Sequence, residues 1–127
     1  MKRSGAILLF VSITILLEAC GPSKEDRRWA ANLTGGDPAR GKIAIRHYGC
    51  MACHTVDGIR ESEALVGRPL TRMASRSYLA GNMKNNPENM IRWIQKPREI
   101  HSDTAMPDTG VTQSDARDIA SYLYQFR

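Results

Sequence analysis

Two cysteines and a histidine lie within five consecutive positions of the chain, in the order Cys50-Met51-Ala52-Cys53-His54. Thiols bind metals, pair as disulfides or bond covalently to a prosthetic group. A porphyrin offers two vinyl groups to which two thiols at this separation can add, and a histidine directly after the second thiol then lies under the iron as an axial ligand. The spacing therefore predicts one covalent haem, attached through Cys50 and Cys53 and ligated by His54.

Other interpretations of the cysteine pair explain less of the sequence. A thioredoxin-like redox pair follows a strand in a βαβ unit, and no such pattern surrounds Cys50. A structural zinc site needs two further ligands, whereas His47 and His101 stand at unsuitable spacings. A disulfide between the two cysteines leaves His54 without a role. Haem attachment accounts for all three residues.

The residues alone leave the ligand on the opposite face of the iron open. Met90 shares helical spacing with Ile91 and Ile94, as a core residue does, and Met73 is similar. The candidates are four methionines and two histidines: Met73, Met83, Met90, Met106, His47 and His101.

The N-terminus has the pattern of an export signal. Met1-Lys2-Arg3 is positively charged, and the apolar run from Ala6 to Leu17 is too short to span a bilayer comfortably. Cys20, directly after Ala19, resembles the lipobox of bacterial lipoproteins, in which this cysteine becomes the lipidated first residue of the mature chain. The pattern predicts a signal peptide over 1–19 and a lipid anchor on Cys20, which holds the protein at the periplasmic side of a bacterial membrane.

The elements that must position these residues begin after a polar stretch. Residues 20–36 show no apolar periodicity and are predicted to be a flexible tether. The folded domain is predicted over 37–127, where Asp37 and Pro38 suit the cap and first turn of a helix that runs to about Tyr48. A weaker helical pattern covers about 70–80.

Two further helices have clear start signals. Asn86-Pro87 predicts a helix that ends at Lys96-Pro97, and Thr112 begins a capping-box-like sequence followed by apolar residues such as Ile119 and Leu123. No run alternates as a strand does, so the fold class is predicted to be all-α. The loops are too long for so small a domain unless something fills its centre.

The charge of the chain excludes one class of partner. There are 18 Lys and Arg residues against 13 Asp and Glu, a net charge of +5. The basic residues are spread along the chain, without the clustered run of a nucleic-acid-binding arm. No nucleic-acid partner is expected.

From about Gly36 to Phe126 the sequence resembles the short, membrane-associated, monohaem class I c-type cytochromes of bacteria. The resemblance is carried by the haem-attachment motif with the stretch that leads into it, and by two later stretches: 36–42 with 50–54, then Gly67-Arg68-Pro69-Leu70, then Thr104-Ala105-Met106-Pro107-Asp108. It implies a cytochrome c fold in which three to four short helices wrap around one covalently bound haem. The first and last helices of this fold cross, which here places Gly41 and Ile45 against Ile119 and Tyr122.

The resemblance also implies roles for single residues. Met106 matches the family's distal iron ligand, and Tyr78 and Trp93 match positions that donate hydrogen bonds to haem propionates. A backbone carbonyl after Gly67 accepts the N–H of the proximal histidine in the family. Arg68 stands at this place, where family members commonly have proline.

The implied function is transfer of single electrons in a respiratory or related redox chain, with redox proteins as donors and acceptors. With His54 and Met106 both bound to the iron of haem c, no position is open for a substrate, so no enzymatic activity is expected. The alternative is a haem c subunit that relays electrons inside a larger oxidase or dehydrogenase complex. A haem with a vacant distal site, as in a peroxidase, is disfavoured by Met106-Pro107.

Overall fold

The computed structural model describes residues 21–127, so the predicted signal peptide and Cys20 lie outside the described residues. The described chain forms α-helices joined by loops, two 3-10 turns and one two-stranded antiparallel hairpin. The helices are α1 (Lys24–Thr34), α2 (Pro38–His47), α3 (Pro87–Gln95), α4 (Pro97–Ile100) and α5 (Gln113–Tyr124). The 3-10 turns are Cys50–Ala52 and Met73–Ser75, and the hairpin pairs β1 (Tyr78–Leu79) with β2 (Met83–Lys84). The predicted all-α class is confirmed.

The predicted crossing of α2 and α5 is the main helix-helix contact of the described residues. Asp37 caps α2 by accepting the N–H groups of Ala39 and Arg40, and Pro38 occupies the first turn. A Cβ atom on Gly41 would lie only 2.0 Å from the Asp118 carbonyl oxygen of α5. Since no side chain fits there, glycine is what allows the two helices to cross so closely.

A buried carboxylate fixes this crossing. Asp118 of α5 accepts the backbone N–H of Asp37 at 2.6 Å. It also binds the guanidinium of Arg40 in bidentate fashion, with Nε at 2.7 Å and Nη2 at 3.0 Å. The planar fork of arginine matches a carboxylate in this geometry, so the pair sets the orientation of α2 on α5 as well as their separation.

For residues 21–36, the structure corrects the prediction of a flexible tether over 20–36, because most of them form helix α1. Ser23 and Asp26 form a reciprocal capping box at the start of α1, and Gly35 ends the helix in the left-handed conformation at φ 68°. Ala30 and Thr34 are buried, and α1 packs on α5.

Contacts among four side chains hold the first half of α1 to the C-terminal part of the chain. The guanidinium of Arg127 lies 4.3 Å from the centre of the Trp29 ring, and its Nε pairs with Asp26 at 3.1 Å. Trp29 also meets Tyr124 of α5 edge-to-face. Helix α1 is therefore part of the folded domain.

The predicted helix over about 70–80 is also wrong. This segment contains the turn Met73–Ser75 and strand β1. Arg72 and Ala80 both have a φ of 46°, a left-handed conformation that interrupts helical hydrogen bonding. The side-chain amide of Asn85 donates to the carbonyls of Met73 and Arg76 at 2.8 and 2.7 Å, which replaces part of the missing backbone pairing.

The remaining helices begin as predicted. Asn86 caps α3 and Thr112 caps α5 through their side-chain oxygens. Pro97 ends α3 as expected, but it also opens α4, which was not predicted. Within residues 21–127, no helix is long and apolar enough to cross a membrane.

Candidate functional site

The predicted haem-attachment motif lies on a tight turn directly after α2. Gly49, at φ 70°, turns the chain out of the helix, and Cys50–Ala52 forms a single 3-10 turn. The His54 N–H donates to the Cys50 carbonyl at 3.0 Å. One short turn therefore positions both thiols and the imidazole.

Both thiols of the motif are free and half-buried. Burial is the main cause that raises the pKa of the Cys50 thiol, since a thiolate is poorly solvated there. Both side chains are free of a disulfide and available to form thioether bonds with the two vinyl groups of one haem.

The imidazole of His54 is oriented by a backbone carbonyl. Its Nδ1 lies 2.7 Å from the Arg68 oxygen, as the resemblance implied. When Nδ1 carries the proton and donates it to this carbonyl, Nε2 has a free lone pair. Such a partner fixes the tautomer and the ring orientation of a metal-binding histidine and increases the basicity of its other nitrogen.

The loop that supplies this carbonyl is fastened to the motif. Gly67 donates its N–H to the Cys53 carbonyl at 2.6 Å, and Leu70 donates to the Thr55 carbonyl at 2.7 Å. The Thr55 hydroxyl donates to the Ala64 carbonyl at 3.1 Å. These bonds hold the loop of residues 64–70 along the His54 side of the motif.

Gly67 itself packs flat against the imidazole. A Cβ atom built on it would lie 2.3 Å from His54 Cε1 and 2.5 Å from Nδ1. Only glycine lets the backbone approach the ring face this closely. The sequence suggested Gly67 only through the middle motif and not for this contact, because the contact depends on the folded path of the loop.

The structure separates the four candidate methionines by burial. Met73 and Met90 are buried in the hydrophobic core, and Met83 on β2 packs against that core. Met106 lies outside this cluster, half-buried in the loop before α5, where its N–H donates to the Thr104 hydroxyl at 3.2 Å. The placement of Met106 is compatible with a ligand role, which stays a prediction.

The two residues predicted to bind haem propionates differ in their exposure to solvent. Trp93 on α3 is half-buried and meets His101 edge-to-face at 5.7 Å. Tyr78 on β1 is 63% exposed. The His101 Nε2 is buried, and no hydrogen-bond partner for it is found within residues 21–127. The propionate roles of Tyr78 and Trp93 stay predictions.

The donors that are present fit a haem better than a bare metal ion. Within residues 21–127, no group of three or more His, Cys, Asp or Glu side chains could hold such an ion. A haem brings four nitrogen ligands of its own and needs from the protein two thiols and one or two axial ligands. Cys50, Cys53 and the oriented His54 supply the first three. The buried Nε2 of His101 has no hydrogen-bond partner among the described residues, which leaves it available to a polar group of a cofactor.

Comparison with known proteins agrees with this set of donors. The cytochrome c family matches residues 38–126. The chain is similar to cytochrome c oxidase subunit 2 of Alkalihalophilus pseudofirmus, with 27% identity over 85 residues, or 66% of this chain and 24% of the relative. It is also similar to cytochrome c oxidase subunit 2 of Bacillus subtilis, with 26% identity over 106 residues, or 82% of this chain and 30% of the relative. The matches thus span less than a third of these curated relatives.

Proposed function

Because the chain belongs to the cytochrome c family, we propose that it carries single electrons between redox proteins, with haem c held by Cys50, Cys53 and His54. The observation that carries the proposal is the fixed imidazole of His54, held between the Arg68 carbonyl and Gly67 on the same turn as two free thiols. This arrangement supplies a covalent attachment and one rigid axial ligand.

The chemistry of the cofactor and the work of the protein are distinct. When bound, haem c takes up and gives up one electron at its iron, between Fe(III) and Fe(II). The protein holds His54 at one orientation, because the loop of residues 64–70 is hydrogen-bonded along the motif. A ligand that does not move keeps the reorganisation between the two states small.

Met106 is the proposed second axial ligand, and with it the protein is a carrier and not an enzyme. A thioether on the iron favours the reduced state relative to a second histidine. The burial of Met73 and Met90 supports the choice, since both already serve the core. If His54 and Met106 both bound the iron of haem c, they would leave no position on it for oxygen or a peroxide.

The names of the relatives favour one alternative within the same chemistry. Both are subunits of cytochrome c oxidase, so this chain could serve as a haem c subunit that passes electrons to an oxidase or dehydrogenase. Purification from the native membrane distinguishes the two. A free carrier is purified in mild detergent without other subunits, whereas a relay subunit co-purifies with the other subunits of its complex.

The electron-carrier proposal is tested on protein matured with its cofactor. The mass should include one haem, the reduced protein should show a sharp α band, and the redox titration should fit one electron. Haem that is fully extracted by acidified acetone would contradict thioether attachment. Rapid binding of carbon monoxide by the reduced wild type would contradict the closed distal position and indicate a catalytic haem.

We also propose that Cys20 carries a lipid anchor at the periplasmic side of the membrane. One acyl chain binds a membrane only marginally and several chains bind it stably. The wild type should therefore stay with membranes in high salt, and Cys20→Ser should be released or misprocessed. A soluble periplasmic wild type whose N-terminus lies after Cys20 would contradict the anchor.

A further inference from the structure

A basic groove opens on the surface where the described chain begins. Gly21 and Pro22 form part of its wall, next to the start of α2 and the end of α5. Four cationic side chains also line it, namely Arg27, Lys42, Arg72 and Arg127. The electron-carrier proposal gives this surface no role.

The carboxylates of the groove are already bound to other groups. Asp26 accepts hydrogen bonds from the N–H and hydroxyl of Ser23 at 3.1 and 2.7 Å, and it pairs with Arg127. Asp57 accepts the backbone N–H of Arg72 at 2.8 Å.

Most of the cationic side chains of the groove have no carboxylate partner among the described residues. Within residues 21–127, no carboxylate forms a salt bridge with the side chains of Arg27, Lys42 or Arg72. The groove therefore presents a positive excess to an outside partner.

The short sequence between Pro22 and Cys20 sets an upper limit on the distance between this groove and Cys20. Arg27 donates from Nε and Nη2 to the Pro22 carbonyl, at 3.2 and 2.9 Å, which ties Pro22 to α1. Only Gly21 then separates Pro22 from Cys20 in the sequence. Two residues of extended chain span about 7 Å.

We propose that this groove docks on a membrane surface that contains anionic phospholipids. The argument from the short link to Cys20 depends on the proposed lipid anchor. The argument from the charge of the groove does not. With acyl chains of Cys20 in the bilayer, the short link holds the groove at the headgroups, where cations attract anionic lipid. Since α1 is packed on α5, this contact orients the whole domain on the membrane.

The test uses the mature holoprotein without its acyl chains, residues 20–127 with Cys20→Ser, exported behind a cleavable signal. It should sediment with vesicles of phosphatidylcholine and phosphatidylglycerol, less so as salt is raised, and not with phosphatidylcholine alone. Each cation near an anionic surface changes partitioning about fivefold. Lys42→Gln with Arg72→Gln should therefore weaken binding about 25-fold.

A matched double variant controls for net charge. Arg92→Gln with Arg117→Gln removes the same charge from a different groove, formed by α3 and the ends of α1 and α5, and should leave vesicle binding nearly unchanged. Unchanged α bands show that both variants fold. Equal losses in the two double variants would overturn the proposal, because binding would then follow total charge alone.

Two further outcomes also overturn it. If the unacylated holoprotein does not sediment with phosphatidylglycerol vesicles, the groove does not dock on membranes. This holds even if the acylated wild type stays with membranes through its anchor. If inorganic phosphate displaces the protein from vesicles more strongly than chloride at equal ionic strength, the groove binds a small anion instead. Neither result affects the redox titration on which the electron-carrier proposal is tested.

Discussion

At the scale of single residues, the backbone around His54 decides how the proposed haem ligand behaves. The Arg68 side chain is exposed, and what matters here is its carbonyl oxygen, which any residue at this position supplies. This explains how arginine can stand at a position where the resemblance to class I c-type cytochromes led us to expect proline. Gly67 has no such freedom, since its Cα lies against the imidazole.

Gly67→Ala should therefore disturb the ligand more than any change of the Arg68 side chain. The added methyl group overlaps the His54 ring, which costs about 1–3 kcal/mol of unfolding free energy if the loop shifts to make room. A shifted loop weakens the bond from Nδ1 to the Arg68 carbonyl, the imidazole becomes a poorer donor to Fe(III), and the reduction potential should rise. Denaturant unfolding and a redox titration measure the two effects.

Gly21→Ala is the control for this change, because among residues 21–127 no atom beyond its chain neighbours lies within 4 Å of the added Cβ, and its φ is not in the left-handed region. If Gly67→Ala alters neither the unfolding free energy nor the potential, the loop adapts freely and does not orient the ligand.

Met106→Ala tests the distal ligand. Oxidised wild type should show the weak near-infrared charge-transfer band of a methionine sulfur bound to iron, and the variant should lose this band. The variant should also have a lower reduction potential and gain affinity for carbon monoxide or cyanide. The burial of Met73 and Met90 makes leucine the better comparison at these positions, because a volume-conserving change costs less than about 1.5 kcal/mol. Both leucine variants should keep the band.

The other outcomes reassign the ligand. A band that survives in Met106→Ala points to Met83, which lies half-buried on β2. A wild type without the band points to His101, whose Nε2 is buried without a partner among the described residues.

At the scale of elements, α1 changes the expected behaviour of the N-terminal segment. A flexible tether over the 17 residues 20–36 would let the domain move far from the proposed anchor, whereas a helix packed on α5 leaves only the residues before Ser23 as a link. Short isolated helices are marginal in water, so the contact with α5 is what stabilises this helix.

Ala30→Glu should release α1 from the domain. Ala30 is fully buried, and an unpaired carboxylate cannot be buried there without a cost of several kcal/mol. The variant should be cut by trypsin at Arg27 and Arg28, while wild type resists and both keep the α band. Asn32→Glu adds the same charge on the exposed side of the helix and should resist like wild type. Equally fast cleavage of the wild type would show that α1 is detached in solution.

At the scale of the whole molecule, α5 joins the parts that lie far apart in sequence. It crosses α2, packs on α1 and α3, and reaches the loop after the haem motif, where the Tyr122 hydroxyl donates to the Asp57 carbonyl at 2.7 Å. Burial is the main cause that raises the pKa of Tyr122 to about 12 from the usual 10.0.

This raised pKa predicts how the fold responds to alkali. Tyr122 contributes its stability fully below pH 10, because the unfolded chain then gains nothing by ionising. The contribution is lost as pH rises from about 10 to about 12. Tyr122→Phe should be less stable by about 1 kcal/mol at neutral pH through the lost hydrogen bond, and this deficit should shrink above pH 10. Denaturant unfolding across this range measures it, and a deficit that stays constant with pH would contradict the burial of the hydroxyl.

The sequence by itself determined the features whose causes are local. The attachment chemistry lies in one stretch, Cys50 to His54, and family membership confirms the haem c that it predicted. The starts of α2, α3 and α5 were readable because Asp37, Asn86 and Thr112 cap their own helices within three residues.

The tertiary structure decided the features whose partners are distant in the chain. The segment Ser23 to Asp26 has the capping-box pattern, so the start of α1 could have been found, but Ala30 shows its role only against α5. The sequence of residues 70–80 favours a helix. In the structure, Arg72 and Ala80 have left-handed backbone conformations and the Asn85 amide donates to carbonyls of this segment. Gly67 meets His54 only once the loop has folded back on the motif. No sequence window shows such contacts, because they join residues that the fold alone brings together.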